Sequence, residues 1–175
     1  MLYILKEDIT KLKDIDVLVN AANGIGVMGA GVAGYIRRSG GDLLEKNVKN
    51  ICMLHGKPFE CGEIYSSDPG LLKRRGYKVI YHAVVMKYPG SPTSTKIVQD
   101  LCHSIVNKAR TEGYKTIAVP GMGTGIGKLD KKQVARIMVD IFCQYSSGID
   151  IHLTDFNDDF IKHAEENLNR KKENK

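Results

Sequence analysis

A glycine-rich segment follows a short apolar run near the start of the chain, and this feature restricts the fold most. Residues 17–34 read VLVNAANGIGVMGAGVAG. An apolar strand that leads into glycine-rich backbone and then into a helix is how α/β proteins hold a phosphate group. Asn20 and Asn23 add neutral hydrogen-bonding groups at the strand end, which suit sugar hydroxyls. The segment therefore predicts a site for a nucleotide or a sugar phosphate.

Strand-like and helix-like patterns alternate along the rest of the chain. Short β-branched runs bounded by polar residues or glycine lie at residues 2–5, 17–19, 62–65, 79–85, 116–119 and 149–153. Helical patterns lie at residues 31–38, 42–50, 93–112, 131–145 and 157–168. This alternation predicts an α/β fold with a mixed, mostly parallel sheet that helices cover on both faces. Ligands of such sheets bind at the carboxyl ends of the strands, where the glycine-rich stretches fall.

The length and composition are those of one soluble domain. The chain has 175 residues, of which 42% are hydrophobic and 26% are charged. No apolar run approaches the roughly 20 residues of a membrane span, and the N-terminus does not resemble a signal peptide. We therefore expect a cytoplasmic protein with no membrane partner. The predicted domain spans residues 1–169, and the basic residues 170–175 are expected to form a flexible tail.

Cysteine spacing and net charge restrict the cofactors and partners. The four cysteines lie far apart without a CxxC pair, so we expect neither a metal site nor a cofactor. The net charge of +6 favours anionic ligands, although most of it is interpreted as solvated surface charge. Nucleic acid is a less favoured partner, because no known nucleic-acid motif accompanies the basic residues. The sequence does not indicate an oligomeric state.

A second glycine-rich loop, PGMGTGIG at residues 120–127, follows the apolar run at 116–119. Two such loops after two strands of one sheet can hold opposite sides of one phosphate group, although either alone can be only a tight turn. Asp8, after the first strand, is either a turn residue or an acceptor for an exocyclic amine such as that of adenine. His82, in an apolar run, is interpreted as a core residue.

Four elements, in order and spacing, resemble the macrodomain, the ADP-ribose-binding module. They are DIT at residues 8–10, VNAAN at 19–23, GAGVAG at 29–34 and PGMGTGIG at 120–127. The resemblance covers the chain from about residue 2 to about residue 168. It implies the three-layer α/β/α fold of that family, with ADP-ribose or an ADP-ribosylated substrate as the partner.

The resemblance also implies roles for the matching residues. Asp8 and the backbone of Ile9 would hold adenine, with Phe156 or Asn157 packed near it, and Asn23 would meet the distal ribose as the candidate catalytic residue. The glycine-rich loops would wrap the diphosphate from two sides. Asn20 is interpreted as more structural than ligand-binding. The implied ligand-binding residues, with Asn20 included, are Asp8, Ile9, Asn20, Asn23, Gly29, Ala30, Gly31, Val32, Ala33, Pro120, Gly123, Thr124, Gly125, Ile126, Gly127, Phe156 and Asn157.

Hydrolysis of an ADP-ribose conjugate is the activity that the resemblance implies first. The substrate would be a mono-ADP-ribosyl ester, O-acetyl-ADP-ribose or ADP-ribose phosphate. A non-catalytic reader of ADP-ribose is the first alternative, because Ala33 and Gly127 stand where hydrolytic members often carry an aspartate and an aromatic residue. Removal of ADP-ribose from nucleic acid is the second alternative. VMGAGVA resembles the branch of deacylating and DNA-ADP-ribose glycohydrolases, but the helix after it, YIRRS at residues 35–39, lacks that branch's nucleophilic lysine.

Overall fold

Six strands form one sheet in the computed structural model, which describes residues 1–145 and 147–173. The strands are β1 (Leu2–Leu5), β2 (Val17–Asn23), β3 (Ile64–Ser67), β4 (Val79–Met86), β5 (Thr116–Pro120) and β6 (Asp150–Thr154). Their order across the sheet is β1-β6-β5-β2-β4-β3. β3 runs antiparallel to β4, and the other neighbouring strands are parallel. The predicted mixed, mostly parallel sheet is confirmed.

Helices cover both faces of this sheet and give the three-layer α/β/α architecture. They are α1 (Gly31–Gly40), α2 (Leu43–Leu54), α3 (Thr95–Thr111), α4 (Lys131–Tyr145) and α5 (Asp158–Glu173). α3, α4 and α5 bury Leu101, Met138 and Phe160 against one face. α1 and α2 bury Ile36 and Val48 against the other face. None of the helices in the described part of the chain combines the length and the apolar character that a bilayer span requires.

The central strand β2 supplies both layers of the core. Val17 and Val19 belong to the core under α3–α5, whereas Leu18 belongs to the core under α1 and α2. Successive side chains of a strand point to opposite faces, so a strand covered on both sides is a nearly continuous apolar run. β2 continues beyond the predicted residues 17–19 as far as Asn23, with a register shift against β4 between Ala22 and Asn23.

The last helix continues into the basic residues at the C-terminal end. α5 ends at Glu173, so residues 170–173 of the segment that we predicted as a tail form its last turn. Lys171 Nζ lies 2.8 Å from Asp140 Oδ1 of α4, and this ion pair ties the turn to the domain. The remaining two residues of the predicted tail, 174 and 175, lie outside the described residues.

His82 lies fully buried in β4, between the side chains of two neighbouring strands. Asn20 Nδ2 of β2 lies 3.1 Å from His82 Nδ1, and Ser67 Oγ of β3 lies 2.7 Å from His82 Nε2. Because an amide nitrogen can only donate, Nδ1 accepts and the proton of the neutral ring is on Nε2. Burial lowers the pKa of His82 to about 3, so the ring is neutral at physiological pH.

Acid is expected to destabilise the fold through His82. The pKa of His82 is lowered from 6.5 to about 3 in the folded protein. The stability that the neutral ring provides is therefore fully present above pH 6.5, and it is lost as the pH falls because the unfolded chain binds a proton there. Between pH 7 and pH 5 we expect a loss of about 2 kcal/mol in the free energy of unfolding. Burial also lowers the pKa of His152, which acts in the same direction. Urea unfolding at the two pH values measures this loss.

Two further measurements keep this prediction specific to His82. The His82→Gln variant should lose less stability between pH 7 and pH 5 than the wild type, whereas His55→Gln, at an exposed position, serves as the control. NMR resonances of the His82 ring should not titrate over the same interval. An equal loss in the wild type and in His82→Gln, or a titrating His82 ring, would contradict the prediction.

Candidate functional site

A cleft of about 450 Å³ opens at the carboxyl ends of the parallel strands. The segments that follow β1, β6, β5, β2 and β4 all contribute to its lining. Every residue that the sequence predicted to bind the ligand lines this cleft except Asn20. The two glycine-rich loops, which begin at Gly29 and Pro120, therefore meet at one site because both follow central strands of one sheet.

Asn20 does not line the cleft, which agrees with the structural role that the sequence favours for it and not with a ligand-binding role. It is 1% exposed, and its side chain contacts His82 directly across the β2–β4 pair. Alternate side chains of a strand share a face, so residues three apart, such as Asn20 and Asn23, point to opposite faces. Asn20 is thus part of the buried polar core, where its Oδ1 atom has no hydrogen-bond partner.

Asn23 lies at the end of β2, lines the cleft and shapes the loop that follows. Its Nδ2 atom donates to the carbonyl of Val27 at 2.9 Å. Its Oδ1 atom accepts from the amides of Ile25 and Val27, each at 3.2 Å. The hydroxyl of Tyr65 donates to the Asn23 carbonyl at 3.0 Å, which fixes the backbone as well. Because Nδ2 has two hydrogens, one remains for a ligand.

The first glycine-rich loop leads to the N-terminus of α1 at the cleft. Ala30 is the N-cap residue and has no side-chain group to cap the helix, so the first amides of α1 are left for an anion. Gly31 has a φ of +59°, a left-handed conformation that glycine adopts most readily. A Cβ atom at Gly29 would meet no atom within 4 Å, so this side of the cleft admits close approach to the backbone.

The second glycine-rich loop turns back on itself after β5. Gly123 has a φ of +77°, and its carbonyl accepts from the amide of Leu129 at 3.0 Å. A Cβ atom at Gly127 would lie 2.6 Å from the Gly123 carbonyl oxygen and 2.7 Å from Cγ2 of Thr93. This loop conformation therefore excludes a side chain at residue 127, including an aromatic one. In contrast, a Cβ atom at Gly125 would meet no atom within 4 Å.

Asp8 lies at the opposite end of the cleft, after β1, and is 8% exposed. Its Oδ1 atom caps the short 3₁₀ helix Ile9–Lys11 and accepts from the Thr10 amide at 2.9 Å and from the Thr10 hydroxyl at 2.7 Å. Both of these bonds use Oδ1, which leaves Oδ2 for a donor such as an amine of a nucleobase. The turn and binding interpretations of Asp8 are therefore compatible.

The cleft is also lined by residues that the sequence analysis missed, and those with a charged or aromatic side chain are Glu7, Tyr35, Lys131 and Asp155. The ring centroids of Tyr35 and Phe156 lie 5.5 Å apart at the mouth of the cleft. Asp155 directly follows β6, and burial raises the pKa of its carboxyl group. Its position directly after a predicted strand was the one feature of the sequence that could have indicated that Asp155 lines the cleft. Within residues 1–145 and 147–173, no His, Cys, Asp or Glu side chains form a cluster that could hold a metal ion.

Comparisons with known proteins identify the family of this chain. The Macro domain family model matches residues 19–138. A relative from Aquifex aeolicus is 36% identical over 137 residues, which are 78% of each chain. The O-acetyl-ADP-ribose deacetylase of Enterobacter sp. is 33% identical over 141 residues, 79% of this chain and 74% of that protein.

A solved structure shows the same architecture at lower sequence identity. A variant of the Oceanobacillus iheyensis macrodomain in complex with ADP-ribose superposes with a TM-score of 0.86, at 22% identity, over 98% of this chain and 94% of that one. An α/β/α fold with a cleft between two glycine-rich loops at the carboxyl ends of its strands defines the class of protein. The chain belongs to the macrodomain family.

Proposed function

We propose that this macrodomain binds ADP-ribose in its cleft and hydrolyses an ester conjugate of ADP-ribose. The pair of backbone loops on opposite sides of the cleft carries this proposal. One loop presents the N-terminus of α1, and the other is the glycine-rich turn after β5. Free amides in such positions favour a diphosphate over a neutral ligand. The name of the Enterobacter relative supports O-acetyl-ADP-ribose as the first ester to test.

The order of the strands arranges the parts of the ligand along the cleft. Asp8, after the edge strand β1, would accept from the exocyclic amine of adenine. The loops after β5 and β2 would hold the diphosphate, and Asn23, at the end of β2, would donate to the distal ribose. Tyr35 and Phe156 at the mouth offer aromatic surface for the base.

Hydrolysis in this cleft would rely on positioning more than on a side-chain base. The charged side chains that line the cleft among the described residues are Glu7, Asp8, Lys131 and Asp155. They follow β1 or β6 or begin α4, and none of them lies on β2 or in the loop after Asn23. In an acetyl ester, water would attack the acyl carbon, the bond to the ribose oxygen would break, and acetate and ADP-ribose would leave. Asn23 and the loop amides would orient the ester and stabilise the negative charge that develops on its oxygen.

Binding and turnover are tested separately. Titration calorimetry should show micromolar affinity for ADP-ribose and weaker affinity for ADP and AMP. Release of free ADP-ribose is then measured from O-acetyl-ADP-ribose, from a mono-ADP-ribosylated protein and from an ADP-ribosylated oligonucleotide. Turnover of the esters alone supports the proposal, and turnover of the oligonucleotide alone would assign the activity to nucleic acid. The absence of ADP-ribose binding at millimolar concentration would overturn the proposal.

A reader of ADP-ribose without catalysis is the second candidate, and the loop around Gly127 favours it. Because the Gly123 carbonyl and Thr93 occupy the space where a side chain would begin, no aromatic residue covers the distal ribose from this position. A less firmly held ribose lowers the fraction of bound substrate that is aligned for attack. Tight ADP-ribose binding with no release of ADP-ribose from any of the three substrates would establish the reader.

Gly125→Ala is expected to weaken ADP-ribose binding about 10-fold, equivalent to about 1.4 kcal/mol, without lowering the melting temperature. The new Cβ atom meets no protein atom within 4 Å, so it costs no packing, but it enters the space beside a loop that lines the cleft. Calorimetry and thermal unfolding measure the two quantities. Adenosine is the control ligand because it has no diphosphate, and its affinity should not change. Equal losses for adenosine and ADP-ribose would contradict the two-loop model.

A further inference from the structure

The first glycine-rich loop makes few hydrogen bonds where it faces the cleft. The amides of Gly29 and Ala30 donate to no acceptor within the part of the chain that the structure describes. A loop that keeps its amides free for an anion cannot use those amides to hold its own shape. The groups that fix this loop must therefore act on the residues before and after the free amides.

Helix α2 lies behind this loop, on the side away from the cleft. The side chain of Met28 is 1% exposed and belongs to the same core as Val48 and Cys52 of α2. A Cβ atom at Gly26 would lie 3.1 Å from Val48 Cγ1 and 3.1 Å from Cys52 Sγ, so the backbone before the free amides packs closely on α2. No residue of α2 lines the cleft itself.

Glu45, in the first turn of α2, contacts the chain on both sides of the free amides. Its Oε1 atom accepts from the amide of Met28 at 3.0 Å, and its Oε2 atom accepts from Arg37 Nη1 of α1 at 3.2 Å. The hydrogen bond from the Met28 amide is the main cause that lowers the pKa of the Glu45 carboxyl group, so this group is ionised at neutral pH. One carboxylate thus joins the residue before Gly29 to the helix that begins after Ala30.

The charge of Glu45 opposes phosphate binding, so any benefit to the ligand must come from geometry. A carboxylate repels a phosphate group, and here two cations offset that repulsion. They are Arg37 and Lys49, whose Nζ atom lies 3.3 Å from Glu45 Oε1. Removing the carboxylate would leave both cations uncompensated and would raise the affinity for an anion if charge alone mattered. A positioning role predicts the opposite change.

We infer that Glu45 is a positioning residue that holds the first glycine-rich loop in the shape that receives the diphosphate. It acts through the Met28 amide and Arg37 without touching the ligand. This inference rests on the proposed function, since it adds to the same cleft a residue from outside its lining. A loop that is already ordered loses less conformational freedom when the ligand binds, and this difference appears as affinity.

Calorimetry on two variants of Glu45 tests the inference, with ADP-ribose and adenosine as the ligands. Glu45→Ala should weaken ADP-ribose binding about 10-fold, because both hydrogen bonds to the loop and α1 are lost. Glu45→Gln should weaken it only about 3-fold, since the amide oxygen still accepts from Met28 whereas the amide nitrogen cannot accept from Arg37. The affinity for adenosine, which has no diphosphate, should not change in either variant.

Hydrogen exchange without ligand tests the structural basis of the same inference. The Met28 amide should exchange about 10-fold faster in Glu45→Ala than in the wild type, with an intermediate rate in Glu45→Gln. An unchanged rate in both variants would overturn the inference, because Glu45 would then not hold the loop. If Glu45→Ala does not fold, Glu45→Gln carries both measurements, since it keeps the length and shape of the side chain.

Glu165→Ala is the matched control, because Glu165 is an exposed glutamate of α5 outside the cleft. It removes the same charge and should change neither affinity nor exchange. ADP-ribose binding that is unchanged or tighter in the Glu45 variants would overturn the inference and leave the proposed function intact. Equal losses for adenosine and ADP-ribose would also overturn it, since they would indicate general destabilisation. A wild type that does not bind ADP-ribose would instead contradict the proposed function itself.

Discussion

Asn23→Ala is expected to reduce kcat for an ADP-ribose ester by about 100-fold, while the Kd for ADP-ribose rises less than about 10-fold. The substitution removes the amide that would orient the distal ribose. It also removes three hydrogen bonds that shape the loop from Ile25 to Val27. In the proposed complex, binding would depend mainly on Asp8 and on the backbone of the two glycine-rich loops, and the substitution removes none of these groups. Single-turnover kinetics and calorimetry separate the two effects.

Controls are needed because the loop after Asn23 would also be loosened. Asn50→Ala, at an exposed position of α2, should change neither kcat nor Kd. A melting temperature of Asn23→Ala well above the assay temperature would show that the loss of turnover is not a loss of folded protein. A kcat unchanged in Asn23→Ala, or a Kd that rises as much as kcat falls, would remove Asn23 from the proposed mechanism.

Gly24→Ala is expected to lower the free energy of unfolding by about 3 kcal/mol. A Cβ atom at Gly24 would lie 2.1 Å from the carbonyl oxygen of Phe59 and 3.0 Å from that of Lys87. The backbone of Gly24 is bonded to both residues, since its amide donates to the Lys87 carbonyl and its carbonyl accepts from the Phe59 amide, each at 2.9 Å. Relieving the overlap would break these bonds. Urea unfolding measures the change.

Gly29→Ala is the comparison for Gly24→Ala, because a Cβ atom at Gly29 meets no atom within 4 Å. Its free energy of unfolding should stay within about 0.5 kcal/mol of the wild type. Both glycines belong to the same segment of the sequence and cannot be told apart there. Equal destabilisation by the two substitutions would show that the loop conformation, and not the close approach of Phe59, determines the cost.

The layered fold could be predicted because its causes are local. The apolar residues of β2 and the periodic apolar face of α3 are visible in the sequence, and their alternation is enough to indicate a covered parallel sheet. The ends of elements were less predictable. β2 extends to Asn23 because β4 beside it supplies backbone partners up to Met86, and this pairing is not visible in the sequence of β2 itself.

The parts of the candidate site that are formed by backbone could be predicted from the sequence. The parts that are formed by single side chains were harder to predict. The two glycine-rich loops are recognisable because their composition is unusual. The position of Asn20 was not evident because it depends on the register of β2 against β4, which pairs Asn20 with His82. Asp155 was missed because a lone aspartate after a strand resembles any turn residue. Its place in the cleft follows from the position of β6 between β1 and β5, which the sequence does not show.

The cradle of main-chain amides that is proposed to hold the diphosphate has consequences for how its ligands can be imitated or displaced. Main-chain amides are the same in every residue type, so substitution within these loops can obstruct the cradle but cannot change what it recognises. Chemical diversity among proteins built this way must then come from side chains at the rim and floor, here Tyr35, Phe156 and Asp155. An inhibitor selective for this protein should therefore draw its selectivity from those three side chains, with the cradle serving only as a common anchor.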